Sequence, residues 1–426
     1  MSDSGQQIDV SRLRVGMYVH LDVGWTQHPF PFSSFKIKSQ DQIETIRSLG
    51  LARVRYSPDK SDVPPVPASA PPAPVTAATP APAPPKPTAG ASADDRAARE
   101  RREMLQVQQM SLTRCEQRFS DASRTFRQIA SSARSHPEAA RAATESLVQG
   151  MFTEVAGERE VAIRLLSEHV GEDTSQHALN VAVLCVLLGR VCGLGPASLR
   201  DLASAALLHD AGKAELPGRL RWSADQLSAA EHRLAQEHVQ HSVDFARRLG
   251  MSTTAQTAIA EHHERADGSG YPKGLRGPQI SPGGRVLALV NQYDNLCNPG
   301  NALHALTPHE ALATIFTRLK AGFDPATLAL FVRMMGVYPP GSVVQLNDGR
   351  FALTVAVNPH QPLKPRVVVY DSHVPVEQAL VVDLETLPGL EIERALKPTQ
   401  LSRSVFEYLS PRKRPSYFFE PASLGL

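Results

Sequence analysis

The hydrophobic pattern is helical from residue 93 to about residue 150. Ala, Arg, Glu and Gln dominate this segment, and its apolar positions fall three to five residues apart: Met104, Val107, Leu112, Cys115 and Phe119. Such spacing predicts an amphipathic helix whose apolar face packs on a neighbouring element or on a second copy of the chain. The pattern therefore leaves a homodimer open.

The helical pattern continues from 151 to 337, with a wide apolar stripe near its start: Leu179, Ala182, Val183, Val186 and Leu187. Two helix starts are marked here. Thr307 and Glu310 have capping-box spacing, and Asp324-Pro325 places a capping residue before a proline. Because no alternating strand pattern is evident in this range, we expect an all-α domain.

The patterns at the two ends of the chain favour strands. Residues 1–60 contain two alternating runs, GMYVHLDV and ARVRYS, with a short helical segment, SQDQIETIRSLG, between them. Residues 338–426 contain SVVQL, FALTVAVN and RVVVYD, joined by turn residues such as Asn347-Asp348-Gly349. We therefore predict a multidomain fold: a mainly all-α domain, a small N-terminal α+β module, and a small C-terminal β appendage and tail.

A proline-rich segment, 61–92, follows the N-terminal module. Eleven of the 34 prolines lie between Pro64 and Pro87, and the segment lacks the large apolar residues that offset the entropy of ordering. Its composition predicts an extended or disordered, protease-sensitive spacer. A ligand for a partner domain is the alternative.

Composition and charge narrow the class of protein. Hydrophobic residues make up 42%, which is typical of a globular chain. Lys and Arg total 45 and Asp and Glu 43, and this small net charge of +2 argues against a nucleic-acid polymer as partner. No apolar run reaches the roughly 18 residues of a membrane span. With no secretory signal pattern and four cysteines that form no CxxC pair, we expect a cytoplasmic protein without disulfides.

Eight of the 15 histidines lie within residues 169–263, which suggests a metal site because imidazole is a common ligand. An apolar helical segment ends in His209-Asp210, where the following glycine can stop the helix, and a second one ends in His262-His263-Glu264. His177 and His238 stand apart from these pairs. Taken singly, each group fits a capped helix end, a core position or a surface position better than a metal site.

Taken in order, the same groups resemble a known family. HDAGK begins at His209 and HHERADGSGYPKGL begins at His262, both on a helical background. This combination resembles the HD-GYP family, a branch of the HD metal-dependent phosphohydrolases, over roughly residues 155–345. DVSRLRVGMYV near the N-terminus also resembles the small domain that often precedes HD-GYP domains in bacteria. The resemblance implies hydrolysis of cyclic di-GMP, to pGpG or to GMP, in bacterial second-messenger signalling.

The resemblance also implies roles for single residues. Asp210 would bridge two metal ions, and Lys213 would contact the scissile phosphate or protonate the leaving oxygen. Asp267, Gly270 and Tyr271 would shape the loop beside the substrate. The implied metal ligands are His177, His209, Asp210, His238, His262 and His263.

The implied cofactor is a pair of divalent transition-metal ions, and mixed imidazole and carboxylate ligands favour Fe or Mn. Two cations about 3.5–4 Å apart acidify a bridging water and offset the charge that develops at phosphorus. The expected reaction is therefore attack of a metal-bridged hydroxide on the phosphodiester. A cyclic dinucleotide is the expected partner, and other signalling proteins are left open.

Two positions depart from the family pattern. The family carries an Asp ligand in a helix of the type A-D-x-Y-D-A-L; Tyr293-Asp294 sets the register, and Asn291, 28 residues after His263, stands at the ligand position. The family then has an Arg-Pro pair and a further basic residue, whereas this chain has CNPGN and no Arg or Lys before Arg318. Asn offers a neutral amide oxygen in place of a charged ligand.

Three functions follow. The first is a metal-dependent cyclic-di-GMP phosphodiesterase, favoured because all six implied ligands and Lys213 are present. The second is a degenerate HD-GYP domain that binds a nucleotide or a partner without turnover, favoured by Asn291 and the missing Arg. The third is an HD hydrolase that acts on another phosphate ester.

Overall fold

The computed structural model describes residues 6–21, 34–48, 51, 53–63, 93–155, 161–167, 173–222, 227–357 and 361–421. The chain divides into two compact units, Met1–Thr88 and Ala89–Leu426. Apart from residues 61–63, the predicted proline-rich spacer lies outside the described residues. Within the described ranges, no helix combines the length and the apolar composition needed to cross a membrane.

The N-terminal unit is an antiparallel sheet with a helix packed against it. Its elements are β1 (Gln6–Asp9), β2 (Tyr18–His20), β3 (Ser34–Lys36), α1 (Gln40–Ser48) and β4 (Arg53–Tyr56). The strand order is β1-β4-β2-β3. Val19 and Val54 are buried with Ile43 and Ile46 of α1, so the alternating side chains of the strands and the helix share one core. The α+β class predicted for this region is confirmed.

The second unit begins with helices. They are α2 (Ala93–Ser132), α3 (Pro137–Val155), α4 (Asp173–Val191), α5 (Pro196–Leu208), α6 (Gly218–Trp222), α7 (Ala229–Gln236), α8 (His238–Arg248), α9 (Thr253–Glu261), α10 (Pro282–Cys297), α11 (Pro308–Thr314) and α12 (Pro325–Met335). The predicted caps are present: Thr307 and Glu310 form the capping box of α11, and the Asp324 side chain caps α12.

A seven-stranded sheet completes the second unit, and it combines one strand from the helical region with six C-terminal strands. Its strands are β5 (Val161–Leu165), β6 (Val343–Leu346), β7 (Phe351–Ala356), β8 (Arg366–Val369), β9 (Val381–Asp383), β10 (Ile392–Leu396) and β11 (Tyr417–Pro421), with α13 (Arg403–Leu409) before the last strand. The order is β10-β6-β7-β5-β11, and β8 pairs with β7 and β9. All pairings are antiparallel.

Strand β5 corrects the expectation that residues 151–337 contain helices alone. It pairs with β11 along its whole length, and Arg164 pairs with Ala356 of β7. Its five residues are too few to show alternation, and four of them are buried because neighbours cover the strand. The C-terminal strands therefore share one sheet, and one compact unit, with a segment of the helical region.

Part of the apolar face of α2 is covered from within the chain, whereas Val107 of the same face is exposed. Cys115 and Phe119 are buried, and the Phe119 ring lies edge-on to Phe418 of β11 with centroids 6.2 Å apart. The Cys115 thiol donates to the carbonyl of Phe419 over 3.3 Å. Of the two interpretations of this face, the neighbouring element is the one that the structure supports.

Candidate metal centre

Each predicted metal ligand lies at the end of a helix or on its first turns. His177 is on α4, His209 and Asp210 follow α5, His238 begins α8, and His262-His263 follow α9. The helices carrying them pack on one another through apolar faces, which brings the helix ends together. The structure gathers all six residues into two overlapping groups whose ligand atoms lie within 4.8 Å of one another: His177, His209 and Asp210; and Asp210, His238, His262 and His263.

Asp210 stands between the two groups. Its Oδ2 lies 3.5 Å from Nε2 of both His177 and His209. Its Oδ1 lies 3.5 Å from Nε2 of His238 and 3.8 Å from Nε2 of His262. The two oxygens of one carboxylate therefore face two different sets of imidazoles, the arrangement expected of a bridging ligand.

Backbone carbonyls orient three of the histidines. The Nδ1 atoms of His209, His238 and His262 lie 2.7, 2.6 and 2.6 Å from the carbonyl oxygens three residues earlier. A carbonyl only accepts, so Nδ1 must carry the proton, and Nε2 of each neutral ring presents its lone pair. Helix-end geometry thus aims the ligand nitrogens at Asp210.

His177 is held by a carboxylate instead. Its Nδ1 lies 2.6 Å from Oδ2 of Asp294, a fully buried residue of α10. The other oxygen of Asp294 accepts from the side-chain amides of Asn180 and Asn298, at 2.9 and 3.0 Å. In the sequence Asp294 sets the register of the helix and has no predicted contact; its full burial is what requires a partner, because buried carboxylates are almost always paired.

The donor set fits a metal. Nε2 of His177 lies 3.1 Å from Nε2 of His209, and Nε2 of His238 lies 3.3 Å from that of His262. In the second pair both nitrogens present lone pairs, which repel unless a cation lies between them. Within the described part of the chain, the buried Oδ1 of Asp210 has no hydrogen-bond partner. A cation between these groups would accept the facing nitrogen lone pairs and would also be a partner for the Asp210 oxygen, as buried polar atoms require.

Burial sets the protonation of this cluster. Desolvation lowers the pKa of His209 to about 4 and holds the pKa of His262 and of His263 well below the usual value. Burial alone would raise the pKa of Asp210, but the Lys213 ammonium, then the neighbouring imidazoles, hold it well below its usual range. Neutral imidazoles and an ionised carboxylate are the forms that bind metal.

Lys213 lies on a 3-10 turn over Ala211–Glu215, and its Nζ is 2.5 Å from Oδ2 of Asp210. It is partly exposed and lines a cavity of about 610 Å³ together with Asp210 and His177. The lysine thus stands at the open side of the metal cluster, within reach of a ligand in the cavity.

Gly212 does not end helix α5. The helix ends earlier, at Leu208, and Gly212 lies within the 3-10 turn that follows. Its role is close packing. A Cβ at this position would lie 2.3 Å from the carbonyl oxygen of His238 and 2.4 Å from the amide nitrogen of Ser242. The Gly212 amide also donates to Ser242 Oγ over 2.9 Å. The absence of a side chain lets α8 approach the turn that carries Asp210 and Lys213.

The three residues of the loop predicted to lie beside the substrate have different structural roles. The Tyr271 ring stacks on His263 with centroids 4.6 Å apart. Gly270 has no room for a side chain, since a Cβ would lie 2.3 Å from the amide nitrogen of Arg265. Asp267 is exposed and accepts from Ser269, so it holds a turn and does not contact the cluster.

Glu264 is a further residue that sequence reasoning left without a role. It is buried, and its two carboxylate oxygens accept from the amides of Lys273 and Leu275, at 2.7 and 2.8 Å. These bonds fasten the loop of Tyr271 to the helix end that carries His262 and His263.

Asn291 is buried on α10, and its Oδ1 accepts a hydrogen bond from Nδ2 of Asn295 over 2.8 Å. A partner from the next turn of the same helix therefore occupies this oxygen. The position carries no negative charge to add to that of Asp210.

Three segments match described families. Residues 160–327 match an "HD domain", residues 6–144 match a "Domain of unknown function (DUF3391)", and residues 343–404 match a "KOW domain associated with HD domain". The HD match spans all six residues of the cluster.

Relatives match the same region or most of the chain. A cyclic di-GMP phosphodiesterase of Pseudomonas aeruginosa is 29% identical over 389 residues, which is 89% of either chain. The 3'3'-cGAMP-specific phosphodiesterase 2 of Vibrio cholerae is 33% identical over 162 residues, 38% of this chain and 31% of that protein. A solved HDG"Y"P protein from Bdellovibrio bacteriovorus aligns with 77% of this chain and 98% of its own, at 14% identity and a TM-score of 0.42.

The HD domain match, together with the His and Asp cluster that it contains, places the protein in the HD phosphohydrolase superfamily. Members of this superfamily depend on metal ions. More narrowly, the matches and the relatives together support an HD-GYP family protein, with a DUF3391 domain before its HD domain and a KOW domain after it. The family indicated by the two sequence motifs is confirmed.

Proposed function

We propose that the protein is a metal-dependent cyclic-di-GMP phosphodiesterase. The observation that carries the proposal is the position of Asp210, whose Oδ1 and Oδ2 face separate histidine groups at 3.5–3.8 Å. Several relatives are named cyclic di-GMP or cGAMP phosphodiesterases, which supports the same class of substrate.

Two divalent transition-metal ions, iron or manganese, are the proposed cofactor. His177, His209 and Asp210 would hold one, and Asp210, His238, His262 and His263 the other. When bound, such ions supply the Lewis acidity that activates water and offsets charge at phosphorus. Imidazole nitrogen combined with carboxylate oxygen suits these metals.

The chain itself supplies orientation and proton transfer. Lys213 holds a proton at Nζ on the cavity side of Asp210, where it can bind a phosphate oxygen or protonate the leaving ribose oxygen. Tyr271 covers His263 by stacking and shapes the wall of the cluster beside the loop. Asp294 fixes the ring of His177 and so keeps its Nε2 directed at Asp210.

Hydrolysis of cyclic di-GMP and of 3'3'-cGAMP by the full-length protein, loaded with Mn or Fe and followed by chromatography of the products, tests the proposal. We expect cyclic di-GMP to be converted to pGpG or GMP, and Lys213→Ala to reduce kcat with the metal content unchanged. His232→Ala is the matched control, because His232 is an exposed histidine outside the cluster. A metal-loaded wild type without turnover of either dinucleotide would disprove the proposed activity.

A further inference from the structure

The cavity of about 610 Å³ beside the metal cluster is built by elements that are far apart in the sequence. Asp210, Lys213 and His177 form its inner wall. The remaining walls come from α2, from α6, from the segment after α10 and from the residues just before β11. The site therefore extends beyond the HD domain, into segments on both sides of it.

The charge in this cavity is mainly positive. Its lining includes four cationic side chains, Lys213, Arg127, Arg221 and Arg414, and among the described lining residues Asp210 supplies the only carboxylate. A phosphodiester is anionic, so the surplus of positive charge matches the proposed ligand. The three arginines project from α2, α6 and the C-terminal segment.

One place in the cavity lacks the cation that the family pattern provides. The segment after α10 lines the wall with Asn298, Pro299 and Gly300, and the chain contains no Arg or Lys between Cys297 and Arg318. A cation that binds phosphate at this wall would have to come from another element that reaches the same cavity.

Arg414 lies on a segment whose backbone is hydrogen-bonded to residues of that wall and of α4. Gln176 donates to the carbonyl of Arg414 over 3.1 Å. The next carbonyl, that of Pro415, accepts from Asn180 at 2.9 Å and from Asn298 at 3.2 Å. Both asparagines also donate to the carboxylate that holds His177, so the segment of Arg414 and the metal cluster share one hydrogen-bond network.

The other two arginines lie at more exposed positions, on α2 and α6. Arg127 and Arg221 are exposed, and Arg221 Nε is directed to the carbonyl of Leu216 over 2.7 Å. Arg414 is half-buried, and its own carbonyl and that of the next residue, Pro415, both accept hydrogen bonds from side chains near the metal cluster. Partial burial restricts the rotamers of a side chain, so Arg414 loses less conformational freedom on binding a ligand than a fully exposed arginine does.

We propose that Arg414 binds a phosphate of the substrate and replaces the basic residues missing after α10. The planar guanidinium forms two parallel hydrogen bonds to phosphate oxygens, a geometry that lysine does not reproduce. Arg414 lies outside the ranges matched by the HD and KOW domains, so neither match assigns it a role. The inference rests on the proposed phosphodiesterase function and names the residue that holds its substrate.

The test compares wild type, Arg414→Ala, Arg414→Lys and Lys413→Ala as full-length, metal-loaded proteins. Lys413 is exposed, carries the same charge one residue away and does not line the cavity. The measurements are metal per chain, KM and kcat for cyclic di-GMP, and equilibrium binding of the linear dinucleotide pGpG. Because the backbone bonds of the segment do not involve the Arg414 side chain, we expect all four proteins to fold and to retain metal.

We expect KM, and the dissociation constant of pGpG, to rise about 10- to 100-fold in Arg414→Ala, with a smaller rise in Arg414→Lys and none in Lys413→Ala. Turnover by wild type with an unchanged KM in Arg414→Ala would overturn the inference and leave the proposed function standing. Binding of pGpG without turnover would overturn the function, and the same comparison of dissociation constants would decide the role of Arg414. A wild type that neither turns over cyclic di-GMP nor binds pGpG would overturn both.

Discussion

His177 and Asp294 lie 117 residues apart in the chain and 2.6 Å apart in space, Nδ1 to Oδ2. Asp294 is fully buried, and its second oxygen is held by two asparagine amides, so its carboxylate has no freedom to turn away. A carboxylate beside Nδ1 keeps the proton of the imidazole there and leaves Nε2 to bind a metal. The pair is thus a supporting contact for one half of the cluster.

Asp294→Asn should weaken metal binding about 10- to 100-fold, the range found when a partner behind a ligating histidine is removed. The amide nitrogen of the new side chain would face Nδ1 of His177 and move the ring proton to Nε2, the atom that the metal needs. Competition with a chelator of known affinity measures the loss. Asp244→Asn, on the outer part of α8, is the control and should retain wild-type affinity.

Asp210→Ala should empty both halves of the centre at once, because Asp210 contributes to both histidine groups. Removal of the carboxylate leaves the imidazole nitrogens facing one another without a negative charge to offset two cations. Elemental analysis of purified protein gives metal per chain directly. If this variant retains the full wild-type stoichiometry, Asp210 is not the bridging ligand.

The histidine cluster could be predicted because its motifs, in their order along the chain, resemble those of the HD-GYP family, and this resemblance also identified the isolated His177 and His238. His209-Asp210 and His262-His263 each occupy adjacent positions at a helix end. Spacing of this kind depends on one local turn, and local turns are what a sequence encodes most directly. The role of Asp294 could not be predicted in the same way, since its contact to His177 depends on how α4 packs against α10.

Strand β5 and Arg414 show the same limit. A run of five residues with an arginine at the fourth position has no resolvable period, and β5 becomes a strand because β7 and β11 pair with it. Arg414 enters the cavity because the chain returns from the C-terminal strands to α4 and α10. Contacts between distant segments determine both the strand conformation of β5 and the position of Arg414. The periodicity of a single segment does not predict such contacts.

Gly212→Ala should destabilise the protein by about 1–3 kcal/mol, the cost of overpacking a tight contact. The added Cβ would lie 2.3 Å from a backbone oxygen of α8, and a backbone atom can move away only if the helix moves with it. Denaturant unfolding gives the free energy difference. Gly218→Ala is the matched control, because a Cβ there meets nothing within 4 Å, and it should change stability little.

The buried cysteines should resist thiol reagents in the native protein. Burial, with the nearby Glu420 carboxylate, raises the pKa of Cys115 to about 12, and burial also holds the pKa of Cys185 and of Cys297 well above the usual value. An acid with a raised pKa stays protonated below that value, so at pH 8 these groups are unreactive thiols. We expect a disulfide reagent to label half-buried Cys192 first, and all four cysteines only after unfolding. Rapid labelling of all four in native protein would contradict this.

Asn291→Asp should increase metal occupancy and turnover. A full negative charge close to a dication interacts far more strongly than an amide dipole, even at an effective dielectric near 20. Without metal the same carboxylate is a buried charge on α10, so the metal-free variant should be less stable than the metal-free wild type. Asn347→Asp, an exposed change of equal charge, is the control. Metal per chain and product formed per minute are measured for the three proteins side by side. A wild type that already holds two metals, with neither number changed in Asn291→Asp, would mean that position 291 does not face the metals, and that the register set by Tyr293-Asp294 assigns the wrong residue to the ligand position.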